Sequence, residues 1–262
     1  MLPEYLDRFN QTLESFRQRF PAKAWSDEFS QSLINDFSFY STRIEEEAIE
    51  YGDTIKFLKD ELVQKVHLKG LLEVSDHQRI LEALIQRYDE FELSEDNIKQ
   101  VHRDLMQNEL SWEDGFRKEH VGEYRNHPVV GRREPFYANK EYVSHFNIEF
   151  SMASYVDIFQ QKLAHIDNSS EENHLITVLA YFHNKFLNLI HPFADGNGRT
   201  ARIIMGVLMM KNNCPPVFSQ ILSTENMFTY INTLIECEQQ DSDVPFVRFL
   251  ANGMCDYMTS RL

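Results

Sequence analysis

The residue types best suited to chemistry in this chain lie in one twelve-residue stretch, from His191 to Arg202. It reads His-Pro-Phe-Ala-Asp-Gly-Asn-Gly-Arg-Thr-Ala-Arg, which places an imidazole, a carboxylate and two guanidinium groups close together in the chain. An imidazole titrates near neutral pH, so His191 could accept a proton. Asp195 offers the hard oxygen ligand that Mg²⁺ takes when it joins a protein to phosphates.

The same stretch has the features of a phosphate site. Gly196 and Gly198 allow backbone to approach a ligand closely. A helix beginning there would present free N–H groups and the positive end of its dipole to an anion. Arg199 and Arg202 would add charge on its first turn, where Arg can bind phosphate oxygens in a bidentate way. The stretch therefore predicts phosphoryl or nucleotidyl chemistry.

Other interpretations of the stretch are weaker or excluded. Asp-Gly-Asn-Gly is also common in turns, so a plain turn is the main alternative. A calcium loop is excluded because its twelfth position is Gly206, where a Glu is required. A Walker A loop is excluded because no Gly-Lys-Ser/Thr follows the glycines.

Two helices must position this stretch. Apolar residues recur at helical spacing from Leu175 to Ile190. Pro192 disfavours α geometry at the preceding residue, so this helix should end at His191. Residues 201–210 then predict a second, largely buried helix.

At these residues the chain resembles the Fic family, whose signature is His-x-Phe-x-Asp/Glu-Gly-Asn-Gly-Arg-x-x-Arg. Every defined position matches. The resemblance implies transfer of AMP from ATP to a hydroxyl group of a target protein, with Mg²⁺. It further implies that His191 is the general base, that Phe193 anchors the loop in the core, and that Asp195 holds Mg²⁺.

The resemblance also implies the phosphate contacts. Asn197 and the N–H groups of Gly196, Gly198 and Arg199 would line the anion hole for the α- and β-phosphates. Arg202 would contact the γ-phosphate.

A second resemblance lies upstream, at residues 41–46. Ser41 and Glu45 are in register with the family's inhibitory helix motif, Ser/Thr-x-x-x-Glu-Gly/Asn, although Glu46 stands where the family has Gly or Asn. The resemblance implies that this helix docks on the motif, that Glu45 pairs with Arg202, and that Ser41 steadies the contact. The alternative is a solvated acidic helix face.

Three further features concern the surroundings of the site. Residues 122–125, Gly-Glu-Tyr-Arg, resemble the family's turn before a β-hairpin flap, expected here within 127–148, which would hold a target segment as an added strand. Tyr230 matches a family Tyr near the nucleotide base, but an aromatic at helical spacing is also typical of a core. His102 and His183 are interpreted as structural.

The expected fold is mostly α-helical: a Fic helical core with a short β-hairpin flap and an N-terminal helical extension. We expect residues 1–93 to form an N-terminal helical region carrying the inhibitory helix (about 41–46), and residues 94–262 to form the Fic domain. Pro21 should separate two helices, Gly70 two more, and Ser94 should cap the next.

Composition limits the class of protein. With 42% hydrophobic residues the chain can bury a proper core, and its formal charge of −15 argues against nucleic acid as a partner. Three widely spaced cysteines predict buried thiols in a reducing compartment. The N-terminus does not resemble a signal peptide, and the apolar runs are too short to span a membrane, so a cytoplasmic protein is expected.

Several alternatives stay open at this point. The site could transfer UMP, or remove AMP from a modified target. The chain could be a nucleotide-binding regulator without turnover, although His191 would then have no purpose. It could also be a helical adaptor whose loop is only a turn. Homodimer formation is also left open by the sequence.

Overall fold

The computed structural model describes residues 1–21, 28–44, 49–59, 68–108, 118–129, 140–216 and 227–262. Within these ranges the chain is mostly helical and contains no strand. Residues 130–139 of the expected flap lie outside the described ranges. The α-helices are α1 (Glu4–Arg19), α2 (Glu28–Arg43), α3 (Tyr51–Phe57), α4 (Leu68–Gln86), α5 (Glu95–Met106), α6 (Ile148–Ala164), α7 (Leu175–Asn184), α8 (Asn197–Lys211), α9 (Met227–Gln240) and α10 (Val244–Arg261).

Local signals account for several helix boundaries. The Ser94 hydroxyl accepts the N–H of Asn97, as expected of an N-cap, and His174 caps α7 by accepting the N–H of Ile176 through Nδ1. The prediction that Gly70 separates two helices is wrong, because Gly70 lies inside α4. A glycine inside a helix costs about 1 kcal/mol relative to Ala, which the packing of an amphipathic helix readily outweighs.

Helix α8, which begins in the predicted phosphate site, lies at the centre of the molecule. Every residue from Asn197 to Met210 is buried, and α2, α4, α5 and α7 all contact this helix. One continuous apolar core runs from Leu6 to Met258, with α1 packed against α10. Several helices therefore hold α8 in place. The expected domain boundary between residues 93 and 94 stays a prediction.

The cysteines are free thiols, as predicted. Cys214, Cys237 and Cys255 are all buried, and burial raises the pKa of Cys214 to about 12. Across the described ranges, every helix is too short or too polar to cross a lipid bilayer.

Candidate active site

The helix before the loop ends at His191, as predicted, but its last turn is widened. Residues Lys185–Ile190 form a π-helical turn, and the His191 N–H donates to the carbonyl of Phe186, five residues earlier (2.9 Å). His191 itself is left-handed, with φ of 50°. Because the following proline disfavours the right-handed α region, the chain leaves the helix at this residue.

The imidazole of His191 is held in one tautomer. Its Nδ1 lies 2.9 Å from the carbonyl oxygen of Leu187. A carbonyl can only accept a hydrogen bond, so Nδ1 carries the proton and Nε2 carries the lone pair of the neutral ring. This is the arrangement that a general base requires.

Phe193 anchors the loop in the core, as the family resemblance implied. Its ring is fully buried and stacks on His102, with centroids 3.8 Å apart and planes 7° from parallel. The side-chain amide of Asn197 accepts the Phe193 N–H (2.9 Å) and donates to its carbonyl (2.8 Å). Asn197 therefore shapes the loop through its side chain, and a role for it in nucleotide binding stays a prediction.

His102 is structural, as interpreted from the sequence. Its Nδ1 accepts the N–H of Gly122 (2.9 Å), so Nε2–H donates to the carbonyl of Asp195 (3.0 Å). Burial lowers the pKa of His102 to about 3, which keeps the ring neutral. Gly196, with φ of 72°, closes the same turn, where a Cβ would lie 2.7 Å from the Met106 sulfur.

Asp195 directly precedes Gly196, the N-cap residue of α8, and its carboxylate is a candidate metal ligand. The residue is exposed, and its Oδ1 accepts the N–H of Gly196 (2.7 Å). No group of three or more His, Cys, Asp or Glu residues in the described ranges could hold a metal ion by itself. Mg²⁺ is commonly bound by one or two carboxylates together with substrate phosphates, so a single exposed carboxylate such as that of Asp195 is compatible with this ion.

The first turn of α8 offers an anion site made of backbone. The N–H groups of Asn197, Gly198 and Arg199 belong to this turn, which has no intrahelical acceptors for them, and they lie at the positive end of the helix dipole. The Arg199 side chain points elsewhere: its Nη1 donates to Oε2 of Glu73 on α4 (2.7 Å), and both side chains are buried. Binding of an anion by the Arg199 N–H, which the resemblance implied, stays a prediction.

Arg202 contacts the N-terminal helix α2. Its guanidinium is fully buried and donates from Nε to the Ser41 hydroxyl (2.8 Å) and from Nη2 to the Ser41 carbonyl (2.9 Å). His77 on α4 lies on the other side of that hydroxyl, with Nε2 3.0 Å from Oγ. Burial first, and then Arg202 and Arg199, hold the pKa of His77 well below its usual value. The structure thus joins Ser41 to the motif, whereas Glu45 lies outside the described residues.

Tyr230 belongs to the core in this structure. It is 2% exposed, and its hydroxyl lies 3.1 Å from Nε2 of His183. Burial, followed by the nearby charge of Arg202, lowers the pKa of His183 to about 3, so His183 is a neutral core histidine as interpreted. A role for Tyr230 beside a nucleotide base stays a prediction and would require the ring to become accessible.

Three side chains next to the motif were not singled out as site residues by sequence reasoning. Glu73 pairs with Arg199, Arg125 donates from Nε to the carbonyl of His191 (2.7 Å), and the ring of Tyr142 stacks on His191 with centroids 4.1 Å apart. Arg125 carried a signal, since it ends the Gly-x-Tyr-Arg turn. Glu73 and Tyr142 carried none.

Comparison with known proteins agrees with this geometry. Residues 92–209 match the family model described as the Fic/DOC family. A stretch of 97 residues is 38% identical to Protein adenylyltransferase Fic of Drosophila mojavensis and covers 36% of this chain and 18% of that protein. A stretch of 79 residues is 38% identical to the protein of the same name from Nematostella vectensis and covers 30% of this chain and 17% of that protein. Both alignments span less than a fifth of the relative.

Solved structures show the same fold. A Fic family protein from Desulfovibrio desulfuricans G20 superposes with a TM-score of 0.78 at 18% identity, covering 100% of this chain and 75% of that one. A Fic domain containing signaling protein from Bacteroides thetaiotaomicron superposes with a TM-score of 0.77 at 22% identity, covering 98% and 94% respectively.

Proposed function

We propose that the Fic/DOC domain of this chain, residues 92–209, is a protein adenylyltransferase that moves AMP from ATP to a hydroxyl side chain of a target protein. The names of the aligned relatives support this activity. The observation that carries the proposal is the fixed tautomer of His191, whose Nδ1–H donates to the Leu187 carbonyl. His191 lies in the loop that leads into the first turn of α8. A nucleotide-binding regulator without turnover would not need an oriented base.

The chemistry follows from these groups. The acceptor hydroxyl oxygen bonds to the α-phosphorus, the bond from that phosphorus to the bridging oxygen breaks, and pyrophosphate leaves. Nε2 of His191 takes the hydroxyl proton. The N–H groups of Gly198 and Arg199 stabilise phosphate charge without reorganising, so most of the rate enhancement comes from positioning and charge neutralisation.

Mg²⁺ is proposed as the cofactor. Asp195 would hold it together with phosphate oxygens, because its carboxylate is exposed beside the anion site. When bound, the ion would neutralise charge that develops on the departing pyrophosphate.

Inhibition by the N-terminal region is the second part of the proposal. Two donors of Arg202 are engaged by Ser41, and a γ-phosphate would have to compete for them. We propose that Glu45, four residues after Ser41, adds a carboxylate to this contact and keeps ATP from a productive position. The docking of α2 on α8 supports the proposal.

The protein substrate is proposed to lie along the flap, within 127–148, because two residues of this range, His127 and Val143, accept hydrogen bonds from Arg125 next to the site. Arg125 donates from Nη2 to the Val143 carbonyl (2.5 Å) and from Nη1 to the His127 carbonyl (3.1 Å). The acceptor hydroxyl would then approach Nε2 in the plane of the His191 ring, because Tyr142 covers one face of that ring.

Labelled nucleotides test the activity. Full-length protein is incubated with ATP labelled at the α-phosphate, with ATP labelled at the γ-phosphate, or with α-labelled UTP, and protein-bound label is measured. Label from α-labelled ATP alone supports AMP transfer. Label from the γ-position would indicate kinase chemistry, and preferential label from UTP would indicate UMP transfer; either result contradicts the proposal.

A further inference from the structure

Arg125 is a buried cation that binds only backbone oxygens among its described contacts. Arg125 comes shortly after Gly122, whose backbone is left-handed, and is 3% exposed. Nε donates to the carbonyl of His191 (2.7 Å), Nη1 to that of His127 (3.1 Å), and Nη2 to those of Val143 (2.5 Å) and Ile190 (3.3 Å). Its own N–H donates to the carbonyl of Pro192 (2.8 Å).

No ion pair among the described residues involves Arg125. Burial accordingly lowers the pKa of its guanidinium. A buried charge is costly unless hydrogen bonds replace its hydration, and here the carbonyl dipoles do so. The guanidinium and the carbonyl groups that it holds therefore form one hydrogen-bonded cluster.

Those carbonyl groups include that of His191, the proposed base. His191 is a non-glycine residue in the left-handed region, which is unfavourable by about 1–2 kcal/mol. The Arg125 guanidinium donates to the carbonyls of Ile190 and His191, which lie on either side of the His191 Cα. The backbone N–H of Arg125 donates to the following carbonyl, that of Pro192. Backbone orientation at His191 is thus fixed from outside its own helix.

A second contact acts on the ring itself. Tyr142 stacks on the imidazole with centroids 4.1 Å apart and planes 23° from parallel. The next residue, Val143, donates its N–H to the carbonyl of Leu189 (3.0 Å) and accepts from Arg125. The same guanidinium therefore secures both the backbone of the base and the segment that supplies its stacking partner.

We propose that Arg125 and Tyr142 are positioning residues for His191: Arg125 fixes its backbone, and Tyr142 confines its ring so that Nδ1–H stays on the Leu187 carbonyl and Nε2 faces the acceptor. Neither residue exchanges a proton with the substrate. This inference rests on the proposed transferase activity for its kinetic consequence, but the orientation of the ring can be measured independently of activity.

The tautomer of His191 is measured by ¹⁵N NMR of histidine-labelled full-length protein, with the signal assigned by its loss in His191→Gln. In the wild type we expect Nδ1 to be protonated. Arg125→Gln and Tyr142→Ala should give a mixture of tautomers, whereas Tyr142→Phe, which keeps the ring, should retain the wild-type signal.

Transfer kinetics provide the second measurement. We expect kcat to fall roughly tenfold to a hundredfold in Arg125→Gln and Tyr142→Ala, with the KM for ATP within about twofold, because a misplaced base affects the chemical step and not nucleotide binding. Arg17→Gln is the matched control: Arg17 also donates to two backbone carbonyls, those of Asn212 and Asn213, just beyond the other end of α8. It should leave kcat unchanged.

The outcomes separate the two proposals. A Glu45→Gly protein, which lacks the proposed inhibitory carboxylate, overturns the proposed function if it shows the single tautomer but transfers no nucleotide, and the positioning inference then still stands. An unchanged His191 signal in Tyr142→Ala overturns the role of Tyr142, and an unchanged signal and kcat in Arg125→Gln overturn that of Arg125. If Arg125→Gln fails to fold, Arg125→Lys decides, since it keeps the charge but loses the forked donors and should still release the ring.

Discussion

The guanidinium of Arg202 donates to both the hydroxyl and the backbone carbonyl of Ser41, at 2.8 and 2.9 Å, across 161 positions of the chain. Both residues are fully buried, so α2 is attached to the motif through the side chain that is proposed to bind the γ-phosphate. Whatever strengthens this contact should oppose binding of ATP in a productive position, and whatever loosens it should favour transfer.

Glu45→Gly should therefore raise self-labelling by roughly tenfold to a hundredfold, the equivalent of a charge-assisted hydrogen bond of about 1.5–3 kcal/mol. The double variant Glu45→Gly/Arg202→Ala should be inactive, because relief of inhibition cannot replace a phosphate ligand. Both are measured with α-labelled ATP.

Neighbouring acids provide the control for that experiment. Glu46→Gly and Glu47→Gly remove the same charge three and four residues beyond the end of α2 at Arg43 and should have little effect. Equal activation by all three substitutions would point to a general charge effect. No activation by Glu45→Gly would remove inhibition from the proposed function while leaving the transferase intact.

His191→Ala should lower transfer by ~10²–10⁴-fold and leave the Kd for ATP unchanged, since the imidazole acts on the acceptor hydroxyl. His165→Ala is a close control: His165 also ends a helix with Nδ1 2.7 Å from the carbonyl four residues earlier, but it is exposed and far along the chain from the motif. Transfer by His191→Ala within about twofold of wild type would exclude a general-base role.

Asp195→Asn should lose activity because an amide is a poorer ligand for Mg²⁺, and chelation should silence the wild type. The amide oxygen can still accept the Gly196 N–H, so the turn should survive. Asp167→Asn makes the same change at another exposed carboxylate that accepts a nearby N–H, that of Ser169, and should stay active. Full activity of the wild type in excess chelator would remove the metal from the mechanism.

The sequence predicted the elements whose causes are local. The cap at Ser94 and the stop before Pro192 each depend on neighbouring residues, and both are confirmed. Gly70 was misinterpreted because a helix tolerates one glycine when tertiary packing supports it. The β-hairpin flap stays a prediction, since residues 130–139 lie outside the described ranges.

Within the site, the motif indicated which residues are proposed to act, but it did not indicate which residues hold them in place. Glu73 pairs with Arg199 across 126 positions, and Tyr142 reaches His191 from a segment without a recognisable motif. Such contacts arise from the way helices pack, and no spacing rule connects the partners. Asn197 was singled out by the motif for phosphate binding, and the structure shows that its side-chain amide also holds the backbone of the loop at Phe193.

Acidification should destabilise the fold through its buried histidines. Burial lowers the pKa of His174 to about 4, below its unfolded value of about 6.5, so the unfolded chain binds the proton first. Stability from this residue is complete above pH ~6.5 and falls as the pH drops toward about 4. His174→Asn keeps an N-cap acceptor and should reduce the dependence of the urea midpoint on pH in this range. An unchanged slope between these pH values would exclude His174 as a contributor.

The ion pair between Glu73 and Arg199 should be worth far more to stability than an exposed pair of similar length. Both side chains are buried, at 7% and 2% exposure, so Glu73→Ala removes the carboxylate of a buried ion pair and should cost about 3–5 kcal/mol. Asp256→Ala breaks the Arg8–Asp256 pair, which is 2.6 Å long but 50% and 69% exposed, and should cost far less, because water screens an exposed pair. Urea unfolding of both variants gives the two free energies. Arg199 lies on the first turn of α8. If the two variants lose similar free energies of unfolding, the pair does not stabilise this turn against α4.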